Sequence, residues 1–125
     1  MSLINKCLFP VAGYGTRFLP VTKAIPKEML PVLTKPLIQY GVEEAMSSGI
    51  TNIVMVTSKN KQPIKNYFEA NADLEASIKG TVKEGLLDEV NYLSKHCDFS
   101  FIEQQQMMGL GHAIYTGKIL IGNEP

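Results

Sequence analysis

Between Pro10 and Pro36 the chain carries five of its seven prolines, and this stretch contains a glycine turn, Ala12-Gly13-Tyr14-Gly15-Thr16-Arg17. Proline removes a backbone donor and fixes φ, so no single regular helix can run through it. A long irregular segment inside a compact unit is uncommon unless it serves a function. Whatever the rest of the chain folds into must therefore hold this loop in place.

The flanking sequence supplies regular elements. Residues 5–11 form a short apolar run, read as a first strand buried on both faces. Leu37, Ile38, Val42, Ala45 and Met46 recur at helical spacing over 36–48, with Pro36 suited to the first turn and Gly49 to the C-terminal cap. Ile53-Val54-Met55-Val56 is a continuous apolar run and predicts a second buried strand. Residues 62–69 predict a short helix, and 73–94 a helical stretch broken at Gly80. Phe99-Ser100-Phe101-Ile102 predicts a third strand, after which Gly109-Leu110-Gly111-His112 opens a last helix reaching about Leu120. Strands alternating with helices imply an α/β fold with a Rossmann-like, mostly parallel sheet and flanking helices. No internal repeat or linker divides the chain, so residues 1–125 read as one portion of a single domain. Gly122-Asn123-Glu124-Pro125 is the kind of turn at which an α/β chain enters its next strand, so that portion is expected to be truncated.

Composition narrows the function classes. A hydrophobic fraction of 45% with 19% charged residues describes a globular chain rather than a disordered one. The formal net charge is zero, which argues against nucleic acid as a partner, because tracking phosphates needs a basic excess. No apolar run approaches the roughly 20 residues that span a bilayer, and the amino-terminal run is too short for a signal peptide. No membrane partner and a cytoplasmic location are expected. Cys7 and Cys97 stand far apart and form no C-x-x-C pair, which favours reduced core thiols.

Charge is unevenly placed. Residues 1–40 hold Lys6, Arg17, Lys23, Lys27 and Lys35 against the single acid Glu28. A lysine-rich stretch is ordinarily a solvated surface. Here the cations are interleaved with glycines and prolines in a loop directly after a strand, a pattern that favours an anion site. Glycines let the backbone approach a ligand closely, and successive N–H groups can cradle phosphate oxygens. The dinucleotide fingerprint G-x-G-x-x-G fails, since Phe18 occupies the third glycine's position. The P-loop pattern occurs nowhere in the chain.

Read onward, the segment is Gly13-x-Gly15-Thr16-Arg17-x-x-Pro20-x-Thr22-Lys23-x-x-Pro26-Lys27-Glu28-Met29-Leu30-Pro31. It resembles the signature of the sugar-1-phosphate nucleotidylyltransferases, which join a nucleoside triphosphate to a sugar 1-phosphate. Lys35-Pro36-Leu37-Ile38-Gln39-Tyr40 is similar to the UTP–glucose-1-phosphate uridylyltransferase branch, and the likeness continues through Gly109-Leu110-Gly111-His112-Ala113 to Gly122-Asn123-Glu124-Pro125. It covers nearly the whole chain.

The resemblance implies that UTP and glucose 1-phosphate give UDP-glucose and pyrophosphate. Arg17, the one arginine present, and Lys27 are then the catalytic cations, and with Gly15 and Thr16 they bind phosphate. Ala12, Gly13, Gln104 and Gly109 are the expected uridine-binding residues, Gln104 standing five residues before the Gly-Leu-Gly turn, where the family's glutamine meets the uracil edge. Gln105 and Gln106 adjoin it, so a register shift of one is open. Glu103 and Met108 depart from the family, which commonly has basic residues there. Lys23 suits a surface and a site equally. Glu28 fits a structural counter-ion better than a nucleotide contact, and a histidine in a first turn, as His112 is, fits a structural role better than catalysis.

The family also implies Mg²⁺. Of three aspartates, Asp73 and Asp88 fall in predicted helices and Asp98 begins a strand, so none ends a strand where such a ligand is expected. The implied metal and sugar-phosphate residues are expected beyond Pro125, and feeble activity at most is expected of the 125-residue chain. The rival readings are a non-catalytic nucleotide-binding module and a piece that completes its sheet by homo-oligomerisation or with a complementing polypeptide. One glutamine pairs with either uracil or thymine, so the choice of base between these two stays open.

Overall fold

The computed structural model describes residues 3–124. Pro125, read as part of the closing turn, lies outside them. Three parallel strands form the centre: β1 (Lys6–Pro10), β4 (Asn52–Thr57) and β5 (Asp98–Glu103), in the order β1-β4-β5. Leu8 stands opposite Val54, and Val54 opposite Ser100. Between β1 and β4 lies a two-stranded antiparallel ribbon of β2 (Pro31–Val32) and β3 (Lys35–Pro36). It is followed by α1 (Leu37–Ser47). The sheet then alternates with α2 (Gln62–Phe68), α3 (Ala72–Ile78), α4 (Asp88–His96), α5 (Leu110–Thr116) and α6 (Lys118–Ile121). This is the expected α/β architecture with parallel strands and flanking helices.

The unbroken apolar run in β4 has a direct cause. As the middle strand it is covered on both faces, and Ile53, Val54, Met55 and Val56 are all buried. Side chains alternate along a strand, so Ile53 and Met55 join Val42 of α1, Ile64 and Phe68 of α2 and Leu93 of α4 in one core. Phe68 stacks on Phe99 with ring centroids 4.5 Å apart. The opposite face is packed by α5, where Gly117 abuts Leu8 and Val56.

Several expectations are corrected. β1 is half-buried rather than buried on both faces, because among the described residues it is an edge strand with β4 as its one neighbour in the sheet. The break near Gly80 is wider than one residue: helix is lost from Lys79 until a 3-10 turn at Glu84–Leu87 leads into α4. The last helix is not continuous to Leu120 but divides at Gly117 into α5 and α6. The proline-rich loop is not wholly irregular, since it holds 3-10 turns at Thr16–Phe18, Val21–Lys23 and Lys27–Met29 besides the β2–β3 ribbon. Gly49 has φ 84°, immediately beyond the Ser48 cap of α1, which suits the expected capping role. Cys97 is buried, Cys7 half-buried, and both are free thiols. Among the described residues no helix is long and apolar enough to cross a membrane.

Candidate functional site

Parallel strands all end on the same side of a sheet, and ligands of open α/β folds gather there. Here β4 ends between its two neighbours, and both flanking chains are tied to it. Val11 N–H donates to the Val56 carbonyl at 2.9 Å, and the Ser58 hydroxyl donates to the Ala12 carbonyl at 3.0 Å. On the other side Gln104 N–H donates to the Thr57 carbonyl at 2.7 Å. Ala12 and Gln104 are thereby held at one end of the sheet, although 92 residues separate them in sequence. Their exposures are only 2% and 3%. Gly13 is exposed beside them, with nothing within 4 Å of where a Cβ would sit.

The loop that follows is pinned on itself. Gly15 has φ 65°, a left-handed conformation that favours glycine. A Cβ added there would stand 3.1 Å from Thr22 Cγ2 and 3.2 Å from Lys27 Cβ. The Thr22 hydroxyl donates to the Gly15 carbonyl at 2.7 Å. Gly15, Thr22 and Lys27 are therefore packed into one unit, with the glycine turn lying against the base of the lysine. Thr16 and Arg17 open the 3-10 turn that follows, and both are exposed. Among the described residues neither Arg17 nor Lys27 has an ion-pair partner. Lys23 lines a small cavity of about 30 Å³ with Gly13, Tyr14 and Thr22.

Glu28 is withdrawn from this cationic loop. Its exposure is 6%, and Lys61, at 4%, donates to its Oε1 at 2.7 Å. Buried charge must be paired to persist. The counter-ion reading of Glu28 is therefore the one this geometry favours, and the pair joins the turn at Lys27–Met29 to the turn at Lys59–Lys61 after β4. Nothing local in the sequence distinguishes Lys61 from Lys59.

At the other flank Gln104 Nε2 lies 2.8 Å from His112 Nδ1. Gly109 caps α5 with φ 90° and is exposed. The turn it begins brings His112, in the first turn of α5, back onto Gln104. Gln105 and Gln106 are exposed, so Gln104 is the one member of the triplet placed inside. Glu103 and Met108 are exposed at the same loop.

A divalent cation finds no ready holder here. Among the described residues no group of three His, Cys, Asp or Glu side chains is placed to hold a metal. At this end of the sheet Glu28 is committed to Lys61 and Glu103 stands exposed. The described residues do not fit the implied Mg²⁺.

A cleft of about 650 Å³ is lined by Lys35, Glu43, Asp88, Glu89 and Tyr92 among others. It touches none of the loop residues above, and its acids outnumber its one cation, which disfavours a phosphate ligand.

Residues 10–125 match the nucleotidyl transferase family. The chain is 57% identical over 123 residues to a UTP–glucose-1-phosphate uridylyltransferase of Pseudomonas aeruginosa, covering 98% of this chain and 44% of that relative. Among solved structures it is similar to an apo UDP-glucose pyrophosphorylase, with a TM-score of 0.92, 55% identity, and coverage of 97% of this chain and 44% of that one. It is also similar to a UTP-bound UGPase from Acinetobacter baumannii, with a TM-score of 0.91, 42% identity, and coverage of 98% and 43%. The chain thus spans less than half the length of the proteins it matches.

Proposed function

The chain belongs to the nucleotidyl transferase family, and we propose that it forms the UTP-gripping portion of a UTP–glucose-1-phosphate uridylyltransferase, residues 1–125 being one part of a single catalytic domain. The observation that carries the reading is the convergence of the glycine loop and Gln104 on the end of β4, through Ser58 on one side and Thr57 on the other.

In this reading the uridine lies across the strand ends. Ala12 and Gly13 give it backbone, Gln104 meets the edge of the base, and Gly109 leaves room beside it. The triphosphate runs over Gly15 and Thr16 towards Arg17 and Lys27. The phosphate oxygen of glucose 1-phosphate attacks the α-phosphorus, a new P–O bond forms, and the bond to the β-phosphate oxygen breaks. Pyrophosphate leaves with the electron pair. Arg17 and Lys27 act by stabilising negative charge that grows on the departing oxygens, as fixed cations do in phosphoryl-type transfer. Arginine suits this place because its fork bonds two oxygens together, whereas Lys27 contributes a point charge. The sugar phosphate is held by residues outside this set, so turnover belongs to the longer enzyme.

Calorimetric titration tests the grip separately from the chemistry. UTP should bind the chain saturably, and Arg17→Ala or Lys27→Ala should weaken UTP while leaving uridine nearly unaffected. Equal losses for uridine and UTP would contradict the phosphate role, and absence of UTP binding would contradict the reading as a whole.

A further inference from the structure

Gln104 donates through its amide to a partner eight residues ahead, and that geometry decides which way the amide faces. An amide NH₂ can only donate, so His112 Nδ1, 2.8 Å from Nε2, must accept. In this contact Nδ1 carries no proton. Among the described residues Gln104 Oε1 has no hydrogen-bond partner, and no buried side-chain oxygen or nitrogen is left unsatisfied. Oε1 therefore opens to solvent at the end of the sheet, on a side chain otherwise enclosed.

We propose that His112 is a specificity-determining positioning residue: by accepting from Gln104 Nε2 it holds Oε1 towards the base and makes the site select a pyrimidine with a donor at ring atom 3. The inference rests on the uridine reading above and deepens it. Uracil carries N3–H and can donate to Oε1. Cytosine carries a lone pair at the same atom, which an oxygen acceptor repels. An unanchored amide can turn over and present N–H to that lone pair, so without His112 the two bases become nearly equivalent. Thymine shares N3–H with uracil, so this device separates uracil from cytosine and not from thymine. A site whose buried polar group is left unpaired rejects the wrong ligand far better than a site that merely lacks an apolar contact.

The test is titration of UTP and CTP into the chain carrying His112→Phe, which keeps a ring but removes the acceptor, and His112→Gln, which restores an acceptor oxygen. The UTP-to-CTP affinity ratio should fall about tenfold in H112F, the scale of one oriented hydrogen-bond pair, and should recover in H112Q. A ratio unchanged in a folded H112F would overturn the proposal. If H112F does not fold, nitrogen NMR of the unaltered chain decides. A coupling between Gln104 Nε2 and His112 Nδ1 is expected, and a proton on Nδ1 would overturn the proposal. If the unaltered chain binds UTP but Gln104→Ala leaves the ratio unchanged, the assignment of Gln104 to the base fails, and the role of His112 with it.

Discussion

Lys61 and Glu28 form an ion pair of 2.7 Å inside the protein, joining the turn beside the glycine loop to the turn that leaves β4. The residue next to Glu28 is Lys27, one of the two cations proposed to face the triphosphate. The acid in a cation-rich loop is thus engaged elsewhere, and the loop keeps its positive character towards solvent.

Removing one member of that pair strands the other. Glu28→Met or Lys61→Met should destabilise the fold by about 3–5 kcal/mol, the usual cost of an uncompensated buried charge. The double replacement Glu28→Met with Lys61→Met should be markedly less damaging than the sum of the two. Urea unfolding of the three variants measures this, and additive losses would show that the two charges are not coupled.

Gly15→Ala should loosen the phosphate grip more than it harms the fold. The left-handed φ costs an L-residue about 1–2 kcal/mol, and the new methyl meets Thr22 and Lys27 at 3.1 and 3.2 Å. Relief of that crowding must shift Lys27. UTP affinity should therefore drop while most of the stability remains, as read by titration beside thermal unfolding.

Gly117→Ala is expected to behave in the opposite way. Its methyl would run into Leu8 and Val56 beneath α5, and overpacking of this kind costs about 1–3 kcal/mol. Leu8→Ala in the same chain should recover part of that loss. Denaturation midpoints of the single and double variants provide the comparison.

The pH dependence of Lys35 has a definite sign. Hydrogen bonds to Glu89 and Glu43, at 2.9 and 3.1 Å, push its ammonium up to about 12 from the ordinary 10.5. A pKa raised by folding contributes stability that is complete below 10.5 and is lost as pH climbs through about 12. The gap in stability between the unaltered chain and Lys35→Met should therefore close over that interval. The ammonium is half-buried and still reached by solvent, so the gap should also shrink in high salt.

What could be read in advance follows from how local each cause is. β4 was legible because burial on both faces writes an unbroken apolar run into four successive residues. Edge strand β1 carries much the same run, and its poorer covering depends on what pairs with it, which its own residues do not encode. The helix divides at Gly117, the residue that lies against Leu8, more than a hundred residues earlier, and no helical periodicity announces that contact. In the site, the glycine turn and Lys27 stand out because their spacing is fixed by one loop. Gln104 was reachable through the resemblance alone. Its contact with His112 and the partnership of Lys61 with Glu28 exist only once the chain has folded, and neither forms a pattern in one dimension.

In the proposed function UTP lies at the ends of the strands, between the glycine loop and Gln104. Amide chemical shifts of the labelled chain during UTP titration test it most directly. Saturable shifts concentrated at Ala12–Arg17, Lys27 and Gln104–His112 are expected. Saturable shifts gathered instead around Lys35, Glu43 and Glu89, or none at all, would contradict it.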